Sequence, residues 1–272
     1  MATDTNKLSI KGGAIGFSDR LRRVRVGPIT FRRLCLLVVL ALWEVIPHLA
    51  ILPPATIASL SDTVWALVTN FQTFMSALAV TGWELAFALL VAYVLGSVCG
   101  VLLGTVGWLK EAILPLVSSI YAVPLVVVYP LLTVWVGIGV ESKVVFGTIY
   151  GVFPMLLATA AGVQTVDRQL LLTARSMGAS RLQLLISVVI PGAIPSIISG
   201  LRLGGAMCAI GVVVAEMMAS TSGIGFLITQ DRTMFNTPGV YAGILLVLVL
   251  VGVLDYIIRL VEHRFAYLKS QG

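Results

Sequence analysis

Long apolar stretches dominate the chain, and six of them are about long enough to cross a lipid bilayer. A hydrocarbon core roughly 30 Å thick requires about 20 residues of helix, since each residue rises about 1.5 Å. The six stretches are 34–52, 79–107, 112–136, 144–166, 193–217 and 240–260. They are too long and too uniformly apolar for the alternating strands of a membrane barrel. Because a helix satisfies its own backbone groups in lipid, the pattern predicts an all-α membrane protein with about six transmembrane helices.

The segment between the first two stretches, residues 53–77, is more polar and contains no Lys or Arg. Its apolar residues at helical spacing are Leu60, Val64, Leu67, Val68 and Phe71. A helix with one apolar face lies stably along a membrane surface. We expect either an amphipathic helix on the outer face or a simple connection between two spans.

The amino-acid composition supports a membrane protein and excludes several other classes. Apolar residues make up 58% of the 272 residues and charged residues only 11%. A soluble domain carries roughly 25% charged residues, and so few charges could not cover this much apolar surface. A disordered chain needs low hydrophobicity, and a secreted disulfide scaffold needs far more than the three cysteines found here.

The distribution of basic residues predicts the orientation of the chain. Fifteen of the 18 Lys and Arg residues lie near the two ends or in the loops after the second and fourth stretches. Because cytoplasmic segments carry the excess of Lys and Arg, both termini are predicted to be cytoplasmic. Residues 1–33 are then a basic cytoplasmic tail, and residues 266–272 are a short cytoplasmic tail. The net charge of +6 is an orientation signal and requires no nucleic acid partner.

Prolines predict kinks in the third and fifth stretches, and regularly spaced glycines predict close packing of the second. The third stretch contains Pro115, Pro124 and Pro130, and Pro191 and Pro195 lie at the start of the fifth. Proline removes a backbone donor and kinks a helix, which is typical of a protein that opens and closes a path. In the second stretch a glycine recurs at every fourth position, which predicts a face that another helix approaches closely. These glycines are Gly96, Gly100 and Gly104.

Five ionisable residues lie in or near the apolar stretches. They are Glu44, Glu84, Arg202, Glu216 and Asp255. Such residues are costly in lipid unless they face a cavity, the protein interior or a partner. Glu44 and Asp255 lie near span ends, which favours placement at the membrane surface or internal pairing. Arg202 and Glu216 are 14 residues apart, too far to pair along one helix, so each needs its own partner.

The loop after the fourth stretch, about residues 167–182, carries the most informative motif. It reads Ala174-Arg175-Ser176-Met177-Gly178-Ala179-Ser180 and is followed by Pro191 and Pro195. The pattern predicts a short helix that closes with a Gly-Ala turn. Such a helix is either a docking element on the cytoplasmic face or an ordinary loop helix.

This motif resembles the coupling loop of permease subunits of binding-protein-dependent ABC importers. Further segments resemble the nitrate/sulfonate/taurine-type branch, in the same order along the chain. They are Pro130–Gly139, Ser142-Lys143, Phe153-Pro154, Gly162–Asp167, Gly200-Leu201-Arg202, Ala215-Glu216-Met217 and Gly223-Ile224-Gly225. The resemblance covers about residues 40–265.

The resemblance implies a type I importer permease whose membrane domain spans residues 34–265. It implies a homodimer in a bacterial or archaeal plasma (inner) membrane, two copies of a cytoplasmic ATP-binding subunit and an external binding protein. The cargo would be a small solute such as a sulfonate, taurine, nitrate or a related molecule. No cofactor or metal is implied, and no enzyme activity is expected, since the chain lacks the Gly-x-x-x-x-Gly-Lys-Ser/Thr phosphate-binding motif.

The resemblance also implies roles for particular residues. Coupling to the ATP-binding subunit would involve Thr173, Ala174, Arg175, Gly178, Ala179 and Ser180, with close approach as the role of the small residues. Candidate pathway residues are Tyr121, Pro124, Arg202, Glu216 and Glu84. The chain departs from the family at Thr173, where a glutamate is usual, and at Tyr121 and Glu84, where relatives often carry arginine. The absence of those arginines weakens the expectation of an anionic substrate.

The competing hypothesis is a secondary transporter driven by an ion gradient. Broken helices and an intramembrane glutamate suit such a carrier. Carriers of that class usually have more spans, and no inverted repeat is visible in this chain.

Overall fold

The computed structural model describes residues 28–49, 53 and 56–269, and these residues form helices joined by short turns. The helices are α1 (Pro28–His48), α2 (Leu60–Thr69), α3 (Phe71–Thr105), α4 (Gly107–Tyr121), α5 (Tyr129–Val136), α6 (Val140–Gln164), α7 (Arg168–Ser176), α8 (Arg181–Leu184), α9 (Ile190–Met218), α10 (Ile224–Thr233) and α11 (Thr237–Lys269). The predicted N-terminal tail lies mostly outside the described residues. Its last residues, from Pro28, belong to α1.

Four helical segments among the described residues are long and apolar enough to cross a membrane. They are α3, α6, the continuous stretch from Arg181 to Met218, and α11. The pair α4 and α5 gives a fifth if it is counted as one broken span. Six spans were predicted, and the difference is α1. This helix carries Arg32, Arg33 and Glu44 within 21 residues, more charge than a span of this length usually contains.

Helix α6 lies at the centre of the bundle, between α3 and α9. On the α3 side a Cβ added at Gly96, Gly100 or Gly104 would lie within 2.8 Å of a side chain of α6. The facing residues are Met155, Thr159 and Val163, which follow the same four-residue spacing. The predicted close helix packing is therefore confirmed, and α6 is the partner.

The third apolar stretch is broken where its prolines predicted a kink. Helix α4 ends at Tyr121, a 3₁₀ turn covers Leu125–Val128, and α5 follows with Pro130 in its first turn. The two parts meet at an angle of 83°. Pro124 lies in extended backbone at the break, and its φ angle is the one to which the proline ring restricts the backbone.

The fifth stretch begins earlier than predicted. Helical structure starts at Arg181 and continues through a π-helical turn at Leu185–Val189 into α9. Pro191 and Pro195 lie in the first turns of α9, and wider π-type turns are one way in which a helix accommodates local disruption. The span is therefore continuous down to the short loop that holds α7.

The predicted amphipathic helix is α2, which exposes Val64, Trp65 and Val68. It packs on α1, where the Trp43 indole donates a hydrogen bond to the carbonyl of Ala58 (3.1 Å). The Glu44 carboxylate accepts hydrogen bonds from Ser61, from its backbone N–H (3.0 Å) and from its hydroxyl (2.7 Å). Glu44 is thus paired within the chain, one of the two outcomes expected for it.

Candidate functional site: a projecting helix and two charged groups

The short helix α7 lies at one end of the bundle, which we call the α7 end. Helix α6 leads into it, and α8 leads away from it toward α9. Its first turn is capped by Asp167, whose carboxylate accepts a hydrogen bond from the backbone N–H of Gln169 (2.7 Å). Leu171 packs against the buried Val163, Val189 and Ala193, which anchors one side of α7 to the core. The rest of the helix projects from the bundle.

A tight backbone motif ends α7. Gly178 N–H donates to the Arg175 carbonyl (2.9 Å), and Ala179 N–H donates to the Ala174 carbonyl (3.1 Å). This pair of bonds defines a Schellman motif, whose residue after the helix takes the left-handed conformation that glycine favours. Gly178 has φ +82°, as the motif requires. Apart from its two chain neighbours, no atom of the described residues lies within 4 Å of where its Cβ would be. The backbone conformation, rather than packing among the described residues, therefore requires glycine.

Ser180 begins the next helix immediately after this turn. Its hydroxyl accepts a hydrogen bond from the Gln183 N–H (3.3 Å), while the Gln183 side chain accepts one from the Ser180 N–H (2.8 Å). This reciprocal capping box fixes the start of α8. The three residues from Gly178 to Ser180 therefore form a rigid link between two helix ends.

The outer surface of α7 and α8 combines exposed apolar residues with a basic one. Met177 is 82% exposed, and Leu172 and Leu182 are also exposed. Of the predicted coupling residues, the exposed ones are Thr173, Arg175, Gly178 and Ser180, while Ala174 and Ala179 are half-buried. A projecting apolar surface of this kind is typical of a contact site for another protein.

A buried ion pair lies toward the opposite end of the bundle, which we call the α10 end. The Lys143 ammonium on α6 contacts the Glu84 carboxylate on α3, and the two side chains are 2% and 1% exposed. Charges are stable at such depth only when they are paired. Glu84, a candidate pathway residue, is thus neutralised by a neighbour within the chain.

A second buried carboxylate lies close to this pair. Both oxygens of Glu216, which is 1% exposed, accept from the Thr81 hydroxyl (2.8 and 3.0 Å), and one accepts from the Gly225 N–H (2.8 Å). Thr81 also accepts a hydrogen bond from the Ile224 N–H (2.8 Å). Because Ile224 and Gly225 are the first residues of α10, Glu216 and Thr81 cap that helix, where a negative charge is favourable. The group joins α3, α9 and α10.

The sequence did not single out Thr81 or Lys143 as partners. Lys143 precedes the fourth apolar stretch by one residue, so the apolar pattern does not place it within a span. The signal that could have identified Lys143 is that a buried carboxylate requires a cation nearby. Glu84 lies near the start of the second stretch, and Lys143 lies just before the fourth. Because the second and fourth spans cross the membrane in the same direction, both residues fall at the same end, and a carboxylate at that depth needs a cation.

A third charged group lies toward the α7 end and is only partly buried. Arg202 on α9 donates from Nε to Asp255 on α11 (3.0 Å), and its Nη1 lies 3.8 Å from Glu262. Arg259 donates to the other oxygen of Asp255 (2.7 Å). The Arg202 and Asp255 side chains are each 37% exposed. Arg202 and Glu216 thus each have their own partner, as expected from their separation.

Tyr121 and Pro124 lie at the break between α4 and α5. The Tyr121 ring stacks on Phe153 of α6, with ring centres 5.9 Å apart. Pro124 is exposed, and so are most apolar side chains of the two flanking helices. The break therefore presents an apolar, proline-containing surface with one hydroxyl-bearing ring. Among the described residues, no group of three or more His, Cys, Asp and Glu side chains could hold a metal ion.

Comparison with known proteins identifies the family. The model of the family described as "Binding-protein-dependent transport system inner membrane component" matches residues 92–267, which is more than half of the chain. The taurine transport system permease protein of Escherichia coli (strain K12) is 30% identical over 236 residues, 84% of this chain and 86% of that protein. The chain belongs to this family of ABC importer permeases.

Other relatives are named for different substrates. The putative aliphatic sulfonates transport permease protein of Bacillus subtilis (strain 168) is 29% identical over 84% of this chain and 83% of that protein. The riboflavin transport system permease protein of Chloroflexus aurantiacus is 36% identical over 50% of this chain and 51% of that protein. These permeases give no support to the secondary-transporter alternative.

The fold is also found in a solved structure. A chain of the MetNI methionine ABC transporter, in an inward-facing conformation, matches with a TM-score of 0.62 over 72% of this chain and 97% of that chain. Sequence identity is 18%, so the likeness concerns the fold alone. The chain is a multi-pass membrane protein with the type I importer permease fold.

Proposed function

We propose that the chain imports a small organic or inorganic solute, of the sulfonate, taurine or nitrate kind, across a plasma (inner) membrane. Two copies form the path, and two cytoplasmic ATP-binding subunits supply the energy by hydrolysing ATP. An external binding protein delivers the solute and determines most of the selectivity. The observation that carries this proposal is α7, a short helix fixed at both ends that projects an apolar surface from a bundle of this family's fold.

In this proposal α7 and α8 seat in a groove of the ATP-binding subunit. Residues Thr173, Ala174, Arg175, Gly178, Ala179 and Ser180 form or support the contact. The Schellman turn and the capping box support a coupling role, because a rigid knob transmits motion that a flexible loop would absorb. Thr173 is exposed and neutral, so a contact made through a glutamate in other members is absent or altered here.

Two exposed methionines at opposite ends of the bundle test this contact with the ATP-binding subunit. Met177 is exposed at the α7 end, and Met234 is exposed at the α10 end. Met177→Asp is expected to reduce co-purification of the ATP-binding subunit, because it places a charge in an apolar contact. Met234→Asp is expected to leave co-purification unchanged. Equal retention of the ATP-binding subunit by both variants would contradict the proposed seat.

The path lies, in this proposal, at the contact between two copies of the chain. The exposed non-helical backbone at the α4–α5 break supports this position, since irregular backbone at membrane depth must be covered by protein or line a water-filled cavity. Tyr121 and Pro124 line the path at the break, and Arg202 faces it from α9. Glu84 and Glu216 contribute by holding α3, α6, α9 and α10 together, because their carboxylates are buried against partners.

The proposed orientation has both termini and α7 in the cytoplasm and the α10 end outside. It is supported by the basic residues of the described loops, since Arg168, Arg175 and Arg181 lie around α7. Single cysteines at positions 177 and 235, in a chain whose three natural cysteines are replaced, test it. A membrane-impermeant maleimide should label Phe235→Cys in intact cells and Met177→Cys only after lysis. The reverse pattern would contradict the orientation.

Transport itself is tested in proteoliposomes that contain the chain and the ATP-binding subunit of the same organism. Taurine and a short alkanesulfonate serve as probes, with the organism's binding proteins added outside and ATP enclosed inside. We expect vanadate-sensitive uptake that requires a binding protein. Uptake that follows an imposed proton or sodium gradient without ATP would overturn the proposal. Two differently tagged copies should co-purify if the permease is a homodimer.

A further inference from the structure

A small polar cleft lies at the α10 end, between the start of α3 and the length of α10. Its volume is about 150 Å³, and the buried Phe74 contributes to its wall. The polar side chains around it are Asn70, Thr73, Gln230, Asp231 and Asn236. A cleft of this size admits several water molecules, or the charged end of one long side chain.

The chemistry of the cleft favours a cation. Asp231 is the one ionisable residue among those that line it, and the other polar groups are amides and a hydroxyl that can accept hydrogen bonds. The Asn236 side chain donates to Asp231 Oδ1 (2.9 Å), and the Asn236 N–H donates to the Asp231 carbonyl (2.9 Å). The carboxylate is therefore held in place by the turn that follows α10.

The surface around the cleft is also negatively charged. At this end of the described chain, the side chains that reach the surface include four carboxylates and the single guanidinium of Arg232. The carboxylates are Glu44, Asp62, Glu141 and Asp231. An acidic surface attracts a basic partner and is repelled by anionic lipid headgroups.

An exposed apolar tip borders the cleft. Met234 and Phe235 follow α10 directly, and Phe235 is 81% exposed. Phe235 has φ +56°, the only non-glycine residue with positive φ in the described chain. A bulky side chain at such a position is strained where glycine would not be, so an exposed phenylalanine there points to a role for its ring. An aromatic anchor beside a polar pocket is typical of a protein–protein contact.

The cleft is also rigidly placed. Glu216 and Thr81 fix the first turn of α10, and Asn236 fixes the turn after its last residue. A site that is already ordered loses little freedom when a partner binds.

We propose that this cleft and the Met234–Phe235 tip form a docking point for the external binding protein, with an Arg or Lys side chain of that protein entering the cleft. The inference rests on the proposed function, because it requires a binding protein on the α10 side of the membrane. The binding protein is favoured over lipid as the occupant because the cleft and the surface around it are acidic.

The test uses the reconstituted transporter and a purified binding protein that supports uptake by the unmodified chain. Initial uptake is measured against binding-protein concentration for Asp231→Asn, Phe235→Gly and the control Glu141→Gln. Glu141 is an exposed carboxylate at the same end that does not line the cleft. Phe235→Gly removes the ring while keeping a residue that adopts positive φ freely.

We expect Asp231→Asn to raise the half-saturating concentration by about tenfold with the maximal rate unchanged, as for loss of one close charge pair. Phe235→Gly should raise it as well. Glu141→Gln removes one surface charge outside the cleft and should raise it far less, because exposed charges are screened by salt. Unchanged half-saturation in both Asp231→Asn and Phe235→Gly, or a shift in Glu141→Gln equal to that in Asp231→Asn, would overturn the docking point while leaving the proposed function intact. A lower maximal rate at unchanged half-saturation in Phe235→Gly would overturn the role of the tip. Absence of binding-protein-dependent uptake by the unmodified transporter would overturn the proposed function, and the docking point with it.

Discussion

At the α10 end the carboxylates of Glu84 and Glu216 are almost fully buried, whereas at the α7 end the side chains of Arg202 and Asp255 remain more than a third exposed. Both sets are ion-paired or hydrogen-bonded, and both lie in helices of the membrane bundle. The difference is access to surroundings that can solvate a charge. A buried charge depends entirely on its partner, while an exposed charge can exchange its partner for water or a ligand.

The two ends therefore suit different tasks. Buried groups joined by an ion pair and by hydrogen bonds connect α3, α6, α9 and α10 into one unit, and the first turn of α10 is part of that unit. Toward the α7 end, the charged residues and the apolar surface of α7 and α8 stay available to other molecules. Substitutions of the buried groups at the α10 end should mainly change stability, and substitutions toward the α7 end should mainly change transport.

The largest effect is expected from Lys143→Met, which leaves the Glu84 carboxylate buried without a cation. Breaking a buried ion pair from one side costs roughly 3 to 5 kcal/mol of folding free energy. The measurement is the thermal transition of the purified permease in detergent, together with its yield. The double variant Glu84→Gln/Lys143→Met removes both charges and should recover much of the loss. A double variant as unstable as the single one would argue against the pair as the locking element.

A smaller loss is expected from Thr81→Val, which has nearly the same shape but no hydroxyl. The Ile224 N–H and the Glu216 carboxylate each lose a partner, and an unsatisfied buried polar group costs about 1 to 3 kcal/mol. Amide hydrogen exchange should accelerate at the start of α10 more than in α6. Thr81→Ser keeps the hydroxyl and is the matched control. If the serine and valine variants exchanged alike, the cap on α10 would be unimportant.

Much of the membrane domain is predictable from the sequence because the signals are local. Apolar length gave the spans that became α3 and α6, and proline positions gave the break after α4. The glycines spaced by four indicated close packing without naming the partner. The Gly-Ala turn predicted the end of α7, although the reason for Gly178 is its positive φ, which the pattern alone does not reveal.

The polar contacts between helices were not predictable in the same way. Glu84 and Lys143 are 59 residues apart, and Thr81 and Glu216 are 135 apart, so only the packed bundle brings them together. The apolar pattern also does not predict α10, because the sequence between the fifth and sixth stretches mixes polar and apolar residues. The early start of the fifth span depends on the π-helical turn, for which the prolines gave only a general signal of distortion.

At the α7 end, Gly178→Val should affect transport more than folding. Valine at φ +82° is strained by about 1 to 2 kcal/mol, and the strain acts locally on an exposed turn. The expected result is a displaced link to α8, a strong loss of ATP-dependent uptake and a thermal transition close to that of the unmodified chain. Gly178→Asn is the control, since asparagine tolerates this conformation. Uptake by the valine variant equal to that of the asparagine variant would mean that the turn geometry does not matter for coupling.

The smallest effect on stability is expected from Arg202→Gln. Its guanidinium reaches the surface, and Asp255 keeps a second partner in Arg259, so the thermal transition should be unchanged within error. If Arg202 faces the path, the apparent affinity for the solute should change nonetheless, while Arg202→Lys should preserve much of it. An unchanged thermal transition together with unchanged uptake kinetics would show that Arg202 neither stabilises the bundle nor contacts the solute. A lower thermal transition in Arg202→Gln would mean that this partly exposed charge depends on its partners as strongly as a buried charge does. The difference in exposure would then not explain a difference between the two ends.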